Sequence, residues 1–230
     1  MASQTSSASE GADRQWFIVG RWQEYEGEAR ANLLRIIAVG AFYIVELASY
    51  YGLRLGVFEM PKEVDLPFHQ AVTAIAVAWT ALSLGVLLCL HERFFPGAMK
   101  YLTTGCDVAL LTGLLVVASG PKSPLVVGYL LLIALATLRF SLPLVRFTTL
   151  ASMLGYLVVL GHARWFRSEE FHVPRYHQVM FLLAVALCGV VLGQVIRRVA
   201  GLAREYAARL EAARGGAPPE EEAPAEGASP

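Results

Sequence analysis

The sequence predicts an all-α fold, a polytopic transmembrane bundle of about six helices. Three observations carry it. Of 230 residues, 56% are hydrophobic and 17% charged, against about 25% charged in soluble domains, and the mean hydropathy is +0.50. The apolar residues are gathered into six stretches separated by polar or proline-bearing links. None of the stretches alternates as a barrel strand would, so helices are the way to satisfy their backbone in lipid.

The elements follow in chain order. Residues 1–15 are polar and Ser/Ala-rich, with no early apolar core that would make a cleavable signal, and are expected to be disordered. Residues 16–30 carry Trp16, Phe17, Trp22 and Tyr25, aromatics that suit the headgroup level, and read as a juxtamembrane or interfacial segment. The membrane domain, 31–199, holds spans at Ala31–Leu53, Phe68–Leu90, Tyr101–Ser119, Leu125–Phe140, Leu144–Gly161 and Gln178–Val199. Most approach the ~20 residues needed to cross, and the fourth is the shortest. Residues 200–214 continue the last span as an exit helix, and 215–230 form a disordered acidic, Pro-rich tail.

With the N-terminus cytoplasmic, thirteen of the 19 Lys and Arg residues fall on the inner side and six on the outer. The positive-inside rule then places both termini in the cytoplasm, as an even number of spans requires. A net charge of zero offers nothing to nucleic acid. Cys89, Cys106 and Cys188 lie inside apolar runs without metal or disulfide spacing and read as small buried hydrophobes. The five histidines lack haem or metal spacing, and no metal site is expected.

Ionisable side chains within spans are costly, so each is a candidate functional residue. Asp107 lies about 9 Å into the third span from the inner side, at the level of Arg139 and Arg35, and is expected to pair with one of them. Glu46 lies about 22 Å along the first span, in the outer half, where His69 or Tyr50 can reach it. It is a candidate proton-linked or ligand-contacting group.

Between the third and fourth spans, Ser119-Gly120-Pro121-Lys122-Ser123-Pro124 makes a short outer turn. Gly120 frees the backbone, Pro121 and Pro124 stiffen it, and Pro124 suits a helical first turn. Such a turn can present Gly120, Pro121, Ser123 and Pro124 to an amphipathic ligand. These residues, with Thr104–Val108, Tyr129–Ile133 and Leu138–Ser141, resemble the membrane sensor region of six-span bacterial sensor histidine kinases. The similarity is greatest to the quinone-responsive redox type, and related regions precede some nucleotide cyclases. In those kinases the turn reads Gly-Gly-x-x-Asn-Pro-Phe. This chain matches at Gly120 and Pro124 and departs at Ser119, Ser123 and Leu125. The resemblance implies quinone as a ligand and a bacterial inner-membrane location. Such kinases continue into a phosphorylated-histidine helix and an ATP-binding domain, neither of which follows Val199. What the resemblance implies is a sensor module without kinase or cyclase catalysis, acting on a separate output protein.

The exit helix carries Ile196, Val199, Ala203, Tyr206 and Leu210 at heptad spacing, and Gly189-x-x-x-Gly193 stands just upstream. Both patterns favour close parallel helix pairing, so a homodimer through these residues is expected. An amphipathic helix lying on the inner membrane face is the competing reading. The functional expectation is a signal-sensing or interaction module. A non-sensing structural or accessory subunit is the alternative, and a small transporter a weaker one, since no inverted repeat or mid-membrane helix break is visible.

Overall fold

The computed structural model describes the backbone of residues 2–52, 54–55, 58–59, 64–92, 96–166 and 172–215, and the side chains of 25–52, 64–92, 96–166, 172–207 and 209. The chain forms helices α1 (Ala2–Tyr51), α2 (Leu66–His91), α3 (Met99–Val117), α4 (Gly128–Thr137), α5 (Leu142–Phe166) and α6 (Arg175–Gly215). A ribbon of two residues per strand, β1 (Arg54–Leu55) and β2 (Phe58–Glu59), pairs Arg54 with Glu59 and Leu55 with Phe58. Among the described residues, five helical stretches are long and apolar enough to cross a membrane: Tyr25–Tyr51, Leu66–His91, Met99–Val117, Leu142–Phe166 and Arg175–Ala207. The stretch Pro124–Thr137 is apolar but shorter.

Local chemistry sets the helix ends. Asp65 caps α2 by accepting the Phe68 N–H at 3.3 Å, and Pro67 sits in the first turn, where a missing donor costs nothing. At the far end of α2, the Tyr25 hydroxyl donates to the Leu90 carbonyl at 2.9 Å, satisfying one of the acceptors a helix end leaves open. Between α3 and α4 the chain makes two short 3-10 turns, Gly120–Lys122 and Pro124–Val127. Gly120 takes φ +61°, a left-handed conformation that glycine adopts without a Cβ clash. Ser123 then accepts from the Leu125 N–H at 3.3 Å and starts the second turn. The ten residues of α4 span only about 15 Å of axis, so the flanking turns supply part of this passage.

Helix α4 packs against α3, α5 and α6, with Tyr129 and Ile133 fully buried. Trp79, Leu111, Leu115, Tyr129 and Tyr156 form one core cluster, and Ile133, Leu144, Val145, Val185 and Ile196 another. Gly155 of α5 lets the hydrogen-bonded pair Thr112 and Tyr129 (2.9 Å) lie against its backbone; a Cβ there would stand 2.6 Å from Thr112 Oγ1. The outward faces are apolar, with Leu33, Ile37 and Ile44 of α1 and Met180, Leu183, Leu187 and Val191 of α6 all exposed. Patches of that extent suit a hydrocarbon surround.

Three expectations are corrected. Helix α1 runs unbroken from Ala2, so 2–15, expected to be disordered, is helical, and 16–30 is part of that helix rather than a separate segment. The Gly189-x-x-x-Gly193 motif packs inside the chain. Gly189 lies against Thr149 of α5 with no room for a Cβ, and a Cβ on Gly193 would come within 3.2 Å of Leu142 Cδ1. Ile196 is buried in the same intrachain core. These three residues are therefore not free to face a second copy. Val199, Ala203 and Tyr206 remain exposed beyond them. The outer turn also packs inward: Gly120 and Ser123 are buried, and a Cβ on Gly120 would touch Ala163 of α5 at 3.9 Å. The side chains of Trp16, Phe17, Trp22 and Leu210, and the acidic stretch 216–230, lie outside the described residues.

Candidate functional site

Helix α1 carries one polar stripe. Glu28, Asn32, Arg35, Val39, Phe42 and Glu46 recur at spacings of 4, 3, 4, 3 and 4, which keeps them on one face of a helix. That face meets α2, α3 and the α4–α5 corner, and each of its polar side chains finds a partner there.

Arg35 donates through Nε and Nη2 to Asp107 Oδ2 of α3, at 3.1 and 2.7 Å, and through Nη1 to Asn32 Oδ1 at 2.6 Å. Trp79 Nε1 of α2 donates to the other carboxylate oxygen of Asp107 at 2.8 Å. Asn32 Nδ2 donates to the Ser83 carbonyl at 3.0 Å. Three helices therefore meet on one ion pair whose side chains are 3% and 5% exposed. A buried charge pair is tolerated in lipid only when its remaining lone pairs and protons are also occupied, and both Asp107 oxygens are.

A second buried pair closes the end of the bundle. Arg139, at the α4–α5 corner, donates through Nη2 to Glu28 Oε1 at 2.7 Å, and through Nη1 to Thr104 Oγ1 at 2.6 Å and the Lys100 carbonyl at 3.1 Å. Its Nε has no partner among the described residues. Gly27 assists the reach. A Cβ on it would stand 3.1 Å from the Leu138 carbonyl oxygen, a tight contact with backbone, so glycine eases this close approach of α1 to the corner. Phe140 reverses the chain with φ +47°, a conformation that is strained for an aromatic residue.

At the opposite end of the α1 stripe, His69 Nδ1 of α2 lies 2.9 Å from Glu46 Oε1. The Tyr50 ring stacks on the imidazole at 4.0 Å between centroids, with 10° between planes. Glu46 Oε2 is buried and has no hydrogen-bond partner among the described residues.

A cavity of about 110 Å³ lies between these two polar ends. Its walls come from α1, α2, α3 and α4 with the turn before it, and include Val39, Phe42, Ile75, Leu111, Leu125 and Leu132. Arg35 and Trp79 line it at one end and Glu46 at the other. The eleven residue steps from Arg35 to Glu46 correspond to about 16 Å of helix axis. An apolar slot with a few convergent polar groups is the usual form of a small-molecule site.

The sequence-predicted residues are distributed as follows. Arg35 and Asp107 are brought together, and Arg139 is not with them but with Glu28. Glu46 is with His69. Gly120, Pro121, Ser123 and Pro124 do not line the cavity, which the same segment reaches only through Leu125 and Gly128. Sequence reading missed Glu28, which fell in a stretch taken as interfacial, and Trp79 and Asn32, which look like ordinary span residues. The spacing of Glu28, Asn32, Arg35 and Glu46 on one helical face was the signal that could have found two of them. Among the described residues no group of three or more His, Cys, Asp or Glu side chains gathers as a metal site.

Fold and site together define a multi-pass α-helical membrane protein whose first helix is bound to the rest by buried charge pairs. Compared with protein-family models, with curated proteins and with solved structures, the chain finds no match in any of the three.

Proposed function

We propose that this chain is a signal-sensing or interaction module of a bacterial inner membrane, with six passes and both termini cytoplasmic. It takes an amphipathic ligand, of the quinone class or of similar shape, into the slot between α1 and α4. It passes the occupied state along α6 to a second copy of the chain and to a separate output protein such as a kinase or cyclase.

The observation that carries the reading is the slot itself, an apolar cavity of about 110 Å³ with Arg35 and Trp79 at one end and Glu46 at the other. Its walls are contributed by four elements, so an occupant would alter how α1 and α2 sit on α3 and α4. The 41 residues of α6 make a rod of about 60 Å, longer than the ~30 Å hydrocarbon core. Val199, Ala203 and Tyr206 are exposed on its distal part, at spacings of 4 and 3. The resemblance to kinase sensor regions and the excess of basic residues on one side support the same reading.

The test is retention of a native lipophile. Full-length protein purified in mild detergent, then extracted with solvent and analysed by mass spectrometry, should yield an amphipathic compound near one per chain. Ala76→Phe, which fills the slot from α2, should lose it. An empty wild-type protein, or equal retention by the variant, would overturn the proposal. Sidedness is checked by a membrane-impermeant thiol reagent on intact cells. It should label Lys122→Cys and leave Ala207→Cys unlabelled; the reverse pattern would invert the topology.

A further inference from the structure

Among the described residues, the far end of the slot carries one buried atom without a hydrogen-bond partner. Glu46 has a side chain 10% exposed, and its Oε1 is held by His69 Nδ1 at 2.9 Å while Oε2 has no partner among the described residues. Buried polar atoms in native proteins are nearly always hydrogen-bonded, and in lipid an orphan is costlier still. Where His69 Nδ1–H donates to Oε1, Oε2 is left as an open acceptor. Glu46 also lines the cavity, whose walls are mostly apolar.

We infer that the slot selects a lipophile whose head donates a hydrogen bond, a hydroxyl or ammonium group, and that Glu46 Oε2 is the atom that receives it. This inference rests on the slot being a ligand site, as proposed above, and adds the polarity of the head: within the quinone class it selects the reduced quinol, whose hydroxyls donate, over the oxidised quinone, whose carbonyls only accept. A head bearing only acceptors, such as an ether or a simple carbonyl, would place a lone pair against the Glu46 carboxylate and leave Oε2 unpaired. Sites built around a buried polar group reject analogues that lack its complement far more strongly than apolar walls reject a change of shape. The apolar walls beside Glu46 take the head and the start of the tail, which continues into the surrounding lipid.

The test uses the full chain in nanodiscs with Trp16, Trp22 and Trp165 changed to Phe, so that Trp79, which lines the slot, reports occupancy. The probes are para-heptylphenol and its methyl ether, which share a tail and differ by the donor, with partition into empty nanodiscs subtracted. The phenol should bind about tenfold tighter or more, as a charge-assisted hydrogen bond requires. Glu46→Leu should bring the ratio to about one, and Ala76→Phe should abolish binding of both probes. Equal binding of phenol and ether by the parent protein would overturn the head-group inference while leaving the slot reading standing. A preference that persists in Glu46→Leu would also overturn it. Binding of neither probe would remove the slot reading with it. The comparison of probes on the parent protein decides the question even where Glu46→Leu does not fold.

Discussion

Asp107→Leu is expected to destabilise the bundle by about 3–5 kcal/mol, the cost of stranding a buried guanidinium. Arg35 is 3% exposed and directs two of its N–H groups at Asp107 Oδ2. Without the carboxylate it keeps only Asn32, and Trp79 Nε1 loses its acceptor as well. Changing both charges together, Arg35→Met with Asp107→Leu, removes the uncompensated ion. It should recover most of the loss, because apolar replacement of a whole buried pair is often close to neutral. Unfolding of the four proteins in mixed micelles with rising dodecyl sulfate measures the cycle. A single variant no weaker than an outward-face substitution such as Leu183→Ala would show that the pair does not bind α1 to α3.

Glu28→Leu should be nearly as damaging, about 3–5 kcal/mol, and its effect should be local. Arg139 already has an unpartnered Nε, and losing Glu28 leaves it only Thr104 Oγ1 and the Lys100 carbonyl. The contact also fixes the close approach of Gly27 to the Leu138 carbonyl. In Glu28→Leu, hydrogen exchange should therefore quicken over residues 25–31 and around 138–140, while the middle of α5 stays protected. Arg139→Met in the same chain should restore slow exchange. Uniform acceleration through α5, or none anywhere, would contradict the pairing.

The two ion pairs mark how far a sequence reading reaches. Rise per residue placed Arg35, Asp107 and Arg139 at one depth, and Glu46 level with His69, because depth depends only on position along a helix. Depth leaves open which way each helix is turned and which neighbour it meets. Asp107 had two candidate bases, and packing gave it Arg35, since Arg139 is drawn to Glu28 by the approach at Gly27. Glu28 was hidden for a different reason. It precedes the apolar stretch, so hydropathy assigns it to an interface, while the 4, 3, 4 spacing to Asn32, Arg35 and Val39 continues the buried face of α1. The fourth apolar stretch was identified from composition, and its division into a 3-10 turn and ten α-helical residues follows from Gly120, Pro121 and Pro124.

The glycines of α6 show the same limit from the other side. A small-x-x-x-small motif says that some helix comes close, and says nothing about whose. Here Thr149 and Leu142 of α5 fill the hollow.

Composition and periodicity alone were enough for the all-α class, the membrane setting, the positions of the apolar helices and the depths of the buried charges, because each depends on local order along one helix. The pairing of those charges, the apolar slot with its unpaired carboxylate oxygen, and the use of Gly189 within the chain required the assembled bundle. They depend on the rotation of helices about their axes and on the contacts between residues far apart in the chain, which local order does not specify.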